Sequence, residues 1–457
     1  MALTLKEFID ATGGRVAIDG KGSNEIHIST DTRSIKKGEY FLALKGENFD
    51  GHDHIKEAAD KGAGGAIVSS VLDVTFGKEF TVIEVSDTLR ALGDAASYLR
   101  QRSRAKFVAI TGTSGKTTTK EMAAKVLSKQ ANVLCTKGNL NNLIGVPLTL
   151  LELDDSMDVA VIEIGINEVG EMDRLAEIVK PDVAVITNIG RGHLHGLGTI
   201  ESVANEKAKV FDHIKEGGVM VVNADDSLAV EAAKKRDGLV VNFGFSPDVT
   251  VRIDEARQIG MSGVKAEYNV EGRCYSVEYD TPLASNSYNG ACVLAILSAL
   301  DMDIEKGIDS LGGTGPVSGR MELKTFGGVV ILDDTYNANP DSTEAALKTL
   351  QGAEGNKIAV LGEMLELGSD TVSEHIKVGL IASECGIDVV VAVGTFAKEI
   401  AQGSKDGGVN KVFIAKDNKE AIKILKDKVR AGDNVLVKGS RGVKTEEIVE
   451  GLISFLD

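Results

Sequence analysis

Between the apolar run Phe107-Val108-Ala109-Ile110 and a helical pattern beginning at Lys116 lies Thr111-Gly112-Thr113-Ser114-Gly115-Lys116-Thr117-Thr118, and no other stretch constrains the chain as much. Glycines let a backbone wrap a phosphate, and a helix N-terminus aimed at it adds amide donors and partial positive charge. A lysine in register with the helix start reaches terminal phosphates, and the hydroxyl after it suits Mg²⁺. The spacing predicts strand, phosphate turn and helix, with the turn at the C-terminal edge of a parallel sheet. The full motif has glycine five positions before Gly115, where this chain has Ile110, so the form is a shortened GTxGKTT. Candidate nucleotide contacts are Gly112, Thr113, Ser114, Gly115, Lys116, Thr117 and Thr118. Lys116 is the candidate for catalysis and Thr117 for metal binding.

A chain of 457 residues exceeds one ordinary core, and two seams divide it. Arg100–Lys106 is polar and basic; Gly312–Gly319 is the densest Gly/Pro segment and reads as a linker. The expected domains are 1–103, 104–312 and 313–457. In the second, Phe107–Ile110, Val159–Ile164, Val183–Thr187 and Val219–Val222 read as buried strands of a mostly parallel sheet. Val249–Tyr279 turns to period-two alternation, an antiparallel addition. The third repeats the rhythm at Val329–Leu332, Ile358–Leu361, Val389–Val393, Val412–Ile414 and Val435–Val437, predicting a doubly wound, Rossmann-like sheet. The first hundred residues are mixed α/β and less legible. The fold class is therefore α/β in three domains.

The net charge of −17 opposes loose binding to nucleic acid or anionic membrane. Four scattered cysteines, Cys135, Cys274, Cys292 and Cys385, suit a reducing compartment. With neither a signal-like N-terminus nor an apolar run long enough to span a bilayer, a cytoplasmic protein is expected.

Glu163 closes the apolar run Val159–Ile162, where α/β folds bind ligands, and could hold Mg²⁺. His193 follows the next strand in the Gly-rich loop Asn188–His195. Alone, the first reads as a solvated strand end and the second as a surface histidine. Lys207, on a predicted helix, would never be selected by composition.

In this order, GTSGKTT, Glu163, Asn188 to His193 and Lys207 resemble the Mur ligase family of peptidoglycan synthesis, over nearly the whole chain. The resemblance implies ATP and Mg²⁺ as cofactors, a carbamylated Lys207 helping to hold metal, and Glu163 and His193 at the other metal positions. It implies catalytic roles for Lys116, Lys207 and His193, and adenine contacts at Asn286 and Asn289, where Ser285 replaces the family's usual histidine. Arg320 and Asp334 complete the nucleotide side. Asp31–Ser34 and Phe41–His52 look like a UDP-binding domain, implying contacts from Thr32, Arg33, Lys45, Gly46, Asn48 and Phe49. Gly138–Asn142 resembles the loop facing sugar and peptide, with Asn139, Asn141 and Asn142.

Asp333–Ser342, with Tyr336, Asn337 and Asn339, and Leu361–Gly368 resemble a member that adds D-alanyl-D-alanine to UDP-N-acetylmuramoyl-tripeptide. The implied activity is ATP-dependent amide-bond formation through an acyl phosphate, serving cell-wall synthesis, cell shape and division. The partners are these small molecules, with no nucleic acid or membrane insertion, and a monomer is expected. A diaminopimelate- or lysine-adding ligase would carry Asp-Tyr-Ala-His and Asp-Asn-Pro-Arg, and folylpolyglutamate synthase an Asp-x-Ala-His-Asn-Pro type motif. A GTPase-like switch would show Asn-Lys-x-Asp, which does not follow the phosphate loop.

Overall fold

The β-branched runs pair into three main sheets that succeed one another along the chain. The computed structural model describes residues 2–20, 23–70, 76–192, 194–315 and 317–456. Among them, a five-stranded sheet comes first, in the order Arg15–Ile18, Thr81–Glu84, Gly65–Val68, Tyr40–Leu42, Ile28–Ser29. It is parallel except at the Arg15–Ile18 edge.

The second sheet has nine strands and carries the phosphate loop. Lys106–Thr111 lies between Val159–Glu163 and Val183–Ile186, all parallel, with Ile110 opposite Glu163 and Thr111 opposite Ile186. This register delivers the loop after Thr111, the carboxylate of Glu163 and the loop after Ile186 to one edge. Both faces are covered: Phe107 and Ala109 enter one core, Val108 and Ile110 the other. Such two-sided burial is why the strand reads as a continuous apolar run. Val133–Cys135 and Leu239–Gly244 also join as parallel strands, and neither was expected from the sequence. Val251–Ile259, Gly263–Val270 and Arg273–Tyr279 supply the antiparallel extension. From it, Gln258 Nε2 donates to the Thr349 carbonyl at 3.1 Å, and Met261 packs on the third core.

The third sheet has six strands in the order Glu322–Phe326, Val329–Asp334, Asn434–Lys438, Lys357–Leu361, Val389–Val393, Lys411–Ala415. Only its Glu322–Phe326 edge is antiparallel among the described strands.

One buried cation joins the first two units. Arg100, 2% exposed on the helix Thr88–Arg102, donates to the carbonyls of Val179 and Lys180 at 2.6 Å each. Its guanidinium lies 3.8 Å from the centre of the Phe107 ring and 3.4 Å from Asp182. Burial draws its pKa down to about 10, and Asp182 opposes the shift. Truncation would strand the two carbonyls, so Arg100→Ala should cost about 3 kcal/mol of stability. Urea unfolding checks this; an unchanged midpoint would show that the clasp contributes nothing.

Candidate active site

The phosphate turn is shaped by contacts that only glycine tolerates. Gly112 has φ +146°, and a Cβ there would collide with the Thr187 hydroxyl; Gly115 has φ +80°, and its Cβ would lie 2.7 Å from Asn289 Oδ1. Asn188 holds the turn from the neighbouring strand: its Oδ1 accepts from Ser114 N at 2.9 Å, and its Nδ2 donates to Ser114 O at 3.0 Å. The helix Lys116–Leu127 then begins. Lys116 Nζ curls back to the carbonyls of Gly112 and Thr113, at 2.8 and 3.1 Å. Burial lowers its pKa to about 8; Glu163 opposes the shift and Arg320 adds to it.

Glu163 is 1% exposed. Its Oε1 accepts from Thr117 Oγ1 at 3.1 Å and from Asn141 Nδ2 at 2.7 Å, while Oε2 is buried without a partner among the described residues. A buried carboxylate oxygen left open beside a hydroxyl is a donor set that fits a hard cation such as Mg²⁺. Lys207, on the helix Ile200–Ala208, has no exposed surface, and its Nζ has no hydrogen-bond partner among the described residues. Burial, then the nearby Lys116, push its pKa well below the usual lysine value, against the pull of Glu206. Lys209 points elsewhere, pairing with Asp173 at 2.7 Å and Glu206 at 2.8 Å. His193 lies outside the described residues.

At the start of the helix Asn286–Ala299, Asn286 Oδ1 accepts from Asn289 Nδ2 at 3.1 Å, and Asn289 Oδ1 accepts from Thr119 Oγ1 at 3.2 Å. Arg320 reaches in from the third unit: its Nη2 donates to Thr117 Oγ1 at 2.9 Å, and its guanidinium lies 4.1 Å from the Tyr336 ring centre. Asp334, also expected on the nucleotide side, pairs with Lys438 at 2.5 Å and accepts from Met321 N at 3.1 Å.

Thr113–Thr118, Glu163, Asn289, Arg320 and Asp334 border a cleft of about 700 Å³, whereas Lys207 and Asn286 do not line it. One wall carries Thr113–Thr118, Glu163 and the expected Asn139, Asn141 and Asn142; the other carries Asp334, Tyr336, Asn337, Asn339 and Leu365–Leu367. Arg191 spans the walls, donating to Asp341 at 2.8 Å and to Glu374 at 2.7 Å. Asn339 caps the helix Pro340–Gln351 through Ser342 N, and its Nδ2 lies 3.5 Å from Ser114 Oγ.

Thr32, Arg33, Lys45, Gly46, Asn48 and Phe49 do not line this cleft. They belong to the first unit, where Arg33 grips Asp31 at 2.7 Å, holding that carboxyl near 2. Gly46 N donates to Phe49 O at 2.8 Å in a tight turn, and Phe49 is 53% exposed, stacked on His54.

Sequence reasoning missed Arg191, Asp341 and the run from Lys438 to Gly442, of which Lys438, Ser440, Arg441 and Gly442 also line the cleft. The signal for the last was available: it follows the apolar strand Val435–Val437, at the edge where such sheets bind ligands.

Three family models match successive parts of the chain: "Mur ligase family, catalytic domain" over 26–100, "Mur ligase middle domain" over 110–297, and "Mur ligase, glutamate ligase domain" over 319–441. The UDP-N-acetylmuramoyl-tripeptide–D-alanyl-D-alanine ligase of Escherichia coli is 35% identical, over 99% of this chain and 98% of that protein. A crystal structure of MurF from Acinetobacter baumannii superposes with a TM-score of 0.92 at 33% identity, covering 99% of both chains. MurF ligase from Thermotoga maritima, solved in complex with ADP, gives 0.84 at 28% identity, over 94% of this chain and 97% of that one. The resemblance of the motifs extends to full-length relatives and to the fold, and the chain belongs to the Mur ligase family.

Proposed function

We propose that this chain joins D-alanyl-D-alanine to UDP-N-acetylmuramoyl-tripeptide, driven by ATP, giving the pentapeptide precursor of the cell wall in the cytoplasm. The observation that carries this reading is the cleft itself, where the phosphate loop faces Tyr336–Asn339 and Leu365–Leu367 across about 700 Å³. In this reading residues 1–103 bind the UDP moiety, 104–312 bind ATP and 313–457 bring the acceptor, within a monomer. No helix among the described residues is long and apolar enough to cross a membrane.

A carboxylate is a poor acyl donor because its leaving group would be oxide or hydroxide. The donor's terminal carboxylate therefore attacks the γ-phosphorus of ATP, ADP leaves, and an acyl phosphate forms. The acceptor's neutral amine then attacks the acyl carbon; phosphate departs and the nitrogen loses its proton, leaving the amide. Lys116 supplies positive charge to the transferring phosphoryl group, and the amides of the turn hold its oxygens. Thr117, Glu163, His193 and a Lys207 carbamate would hold Mg²⁺, which screens the approach of carboxylate to phosphate. Asn141 steadies Glu163 from the loop that faces the donor. Arg320 binds the nucleotide from the third unit, and Asp334, Asn286 and Asn289 complete its recognition. Closing the third unit over the cleft keeps water from the acyl phosphate.

The test is phosphate release from ATP with UDP-N-acetylmuramoyl-tripeptide present. D-alanyl-D-alanine should stimulate it about a hundredfold more than free diaminopimelate, lysine or glutamate, as expected of a site built for one polar acceptor. A preference for any of the free amino acids would assign the chain to a sister ligase.

A further inference from the structure

Among the described residues, five cations line the cleft: Lys116, Arg191, Arg320, Lys438 and Arg441. Four have defined tasks. Lys116 sits on the phosphate turn, and Arg320 reaches Thr117. Arg191 is held by Asp341 and Glu374. Lys438, 3% exposed, is held by Asp334 at 2.5 Å and by the Asn337 carbonyl at 2.9 Å.

Arg441 differs. Its side chain is 65% exposed, and among the described residues Glu446 is its ion-pair partner, through Nη1 at 2.9 Å. A guanidinium carries five N–H donors, so most of this fork remains open to a ligand. Its carbon lies 6.0 Å from the centre of the Tyr336 ring, which also carries Arg320. The backbone beneath it is fixed. Ser440, 3% exposed, accepts from Leu365 N at 2.9 Å and donates to the Ala338 carbonyl at 3.1 Å. One residue before Arg441, the chain is thus tied to both stretches that face the phosphate loop.

An acceptor dipeptide brings a carboxylate as well as an amine. With the amine at the acyl carbon, the carboxylate lies roughly 7 Å further on, two residues of extended chain. The acids on the lining already hold two of its cations, Asp334 that of Lys438 and Asp341 that of Arg191. An anion among them, on a chain of net charge −17, is disfavoured unless a cation receives it. We infer that Arg441 is that cation: it binds the free carboxylate of the acceptor and so helps to select the acceptor, an inference that rests on the function proposed above. Arginine suits the task because its planar fork can hold a carboxylate through two parallel hydrogen bonds.

The test changes one partner at a time, using the full-length protein and phosphate release. With D-alanyl-D-alaninamide, whose carboxylate is a neutral amide, the unaltered protein should show kcat/KM about 100-fold lower than with D-alanyl-D-alanine. Arg441→Ala should raise KM for D-alanyl-D-alanine by a similar factor, leave KM for ATP and the UDP-tripeptide unchanged, and accept the amide as well as the unaltered protein does. Arg441→Lys should recover part of the loss. Equal losses by Arg441→Ala with both acceptors, or a raised KM for the UDP-tripeptide, would overturn the assignment. So would full use of the amide by the unaltered protein, a result that needs no variant to fold. Failure of the unaltered protein to use D-alanyl-D-alanine at all would instead overturn the function on which the inference rests.

Discussion

Lys116→Ala is expected to fold normally and to release phosphate about a thousandfold more slowly, a loss of about 4 kcal/mol in transition-state stabilisation. The size follows from where the charge acts. The ammonium sits on the turn that would hold the transferring phosphate, in a half-buried site where water screens it less than at the surface. The depressed pKa adds a pH signature. In the free protein the group is charged below about 8 and loses its proton above it. kcat/KM for ATP should therefore fall as pH rises through about 8. Bound phosphates favour the charged form, so kcat should fall at higher pH. Near-normal turnover by a folded Lys116→Ala protein would sink the phosphate-loop assignment.

Lys207→Ala should lose about a hundredfold or more in turnover, on the order of 3 kcal/mol, and recover part of it when acetate or formate is added. A fully buried ammonium without a partner is an expensive thing for a fold to keep. Carbamylation would resolve the conflict: the neutral amine would add to the carbon of CO₂, a proton would leave, and an anionic oxygen ligand would replace a cation. Burial and the proximity of Lys116 both favour the neutral amine that this reaction needs. Lys209→Ala is the control, since its partners are Asp173 and Glu206, and it should stay active. The readout is turnover with and without the small carboxylate. If Lys207→Ala keeps near-normal turnover in bicarbonate-free buffer, the carbamate is wrong.

What could be read in the sequence is what is local in it. The phosphate turn packs its glycines, lysine and hydroxyls into a few consecutive residues, and its flanking strand is long and apolar. Lys106–Thr111, Val159–Glu163 and Val389–Val393 were legible because both faces of their sheets are covered, so their runs are unbroken. Val133–Cys135 was not, because three residues give no period to detect, and the strands of the first sheet are only two to four residues long. Lys207 has no local signal at all; only its resemblance to a family position singled it out. Arg191 owes its position to Asp341, 150 residues away, and no window of sequence contains both. Arg441 differs: it follows the apolar strand Val435–Val437, so its place at the sheet edge was legible, and only the cleft it faces depends on the second and third units meeting.

Two of the arginines that join the units respond differently to the solution around them. Arg100 is 2% exposed and bonded to backbone carbonyls, beyond the reach of mobile ions. Arg191 is 27% exposed in its side chain, and its partner Asp341 39%. At physiological ionic strength charges are screened over about 8 Å, and exposed pairs feel this far more than buried ones. Added salt should therefore weaken the Arg191 pair beside the reactive cleft more than the Arg100 clasp. The counter-ions around the protein should thus bear on the contact across the reactive cleft before they bear on the Arg100 clasp.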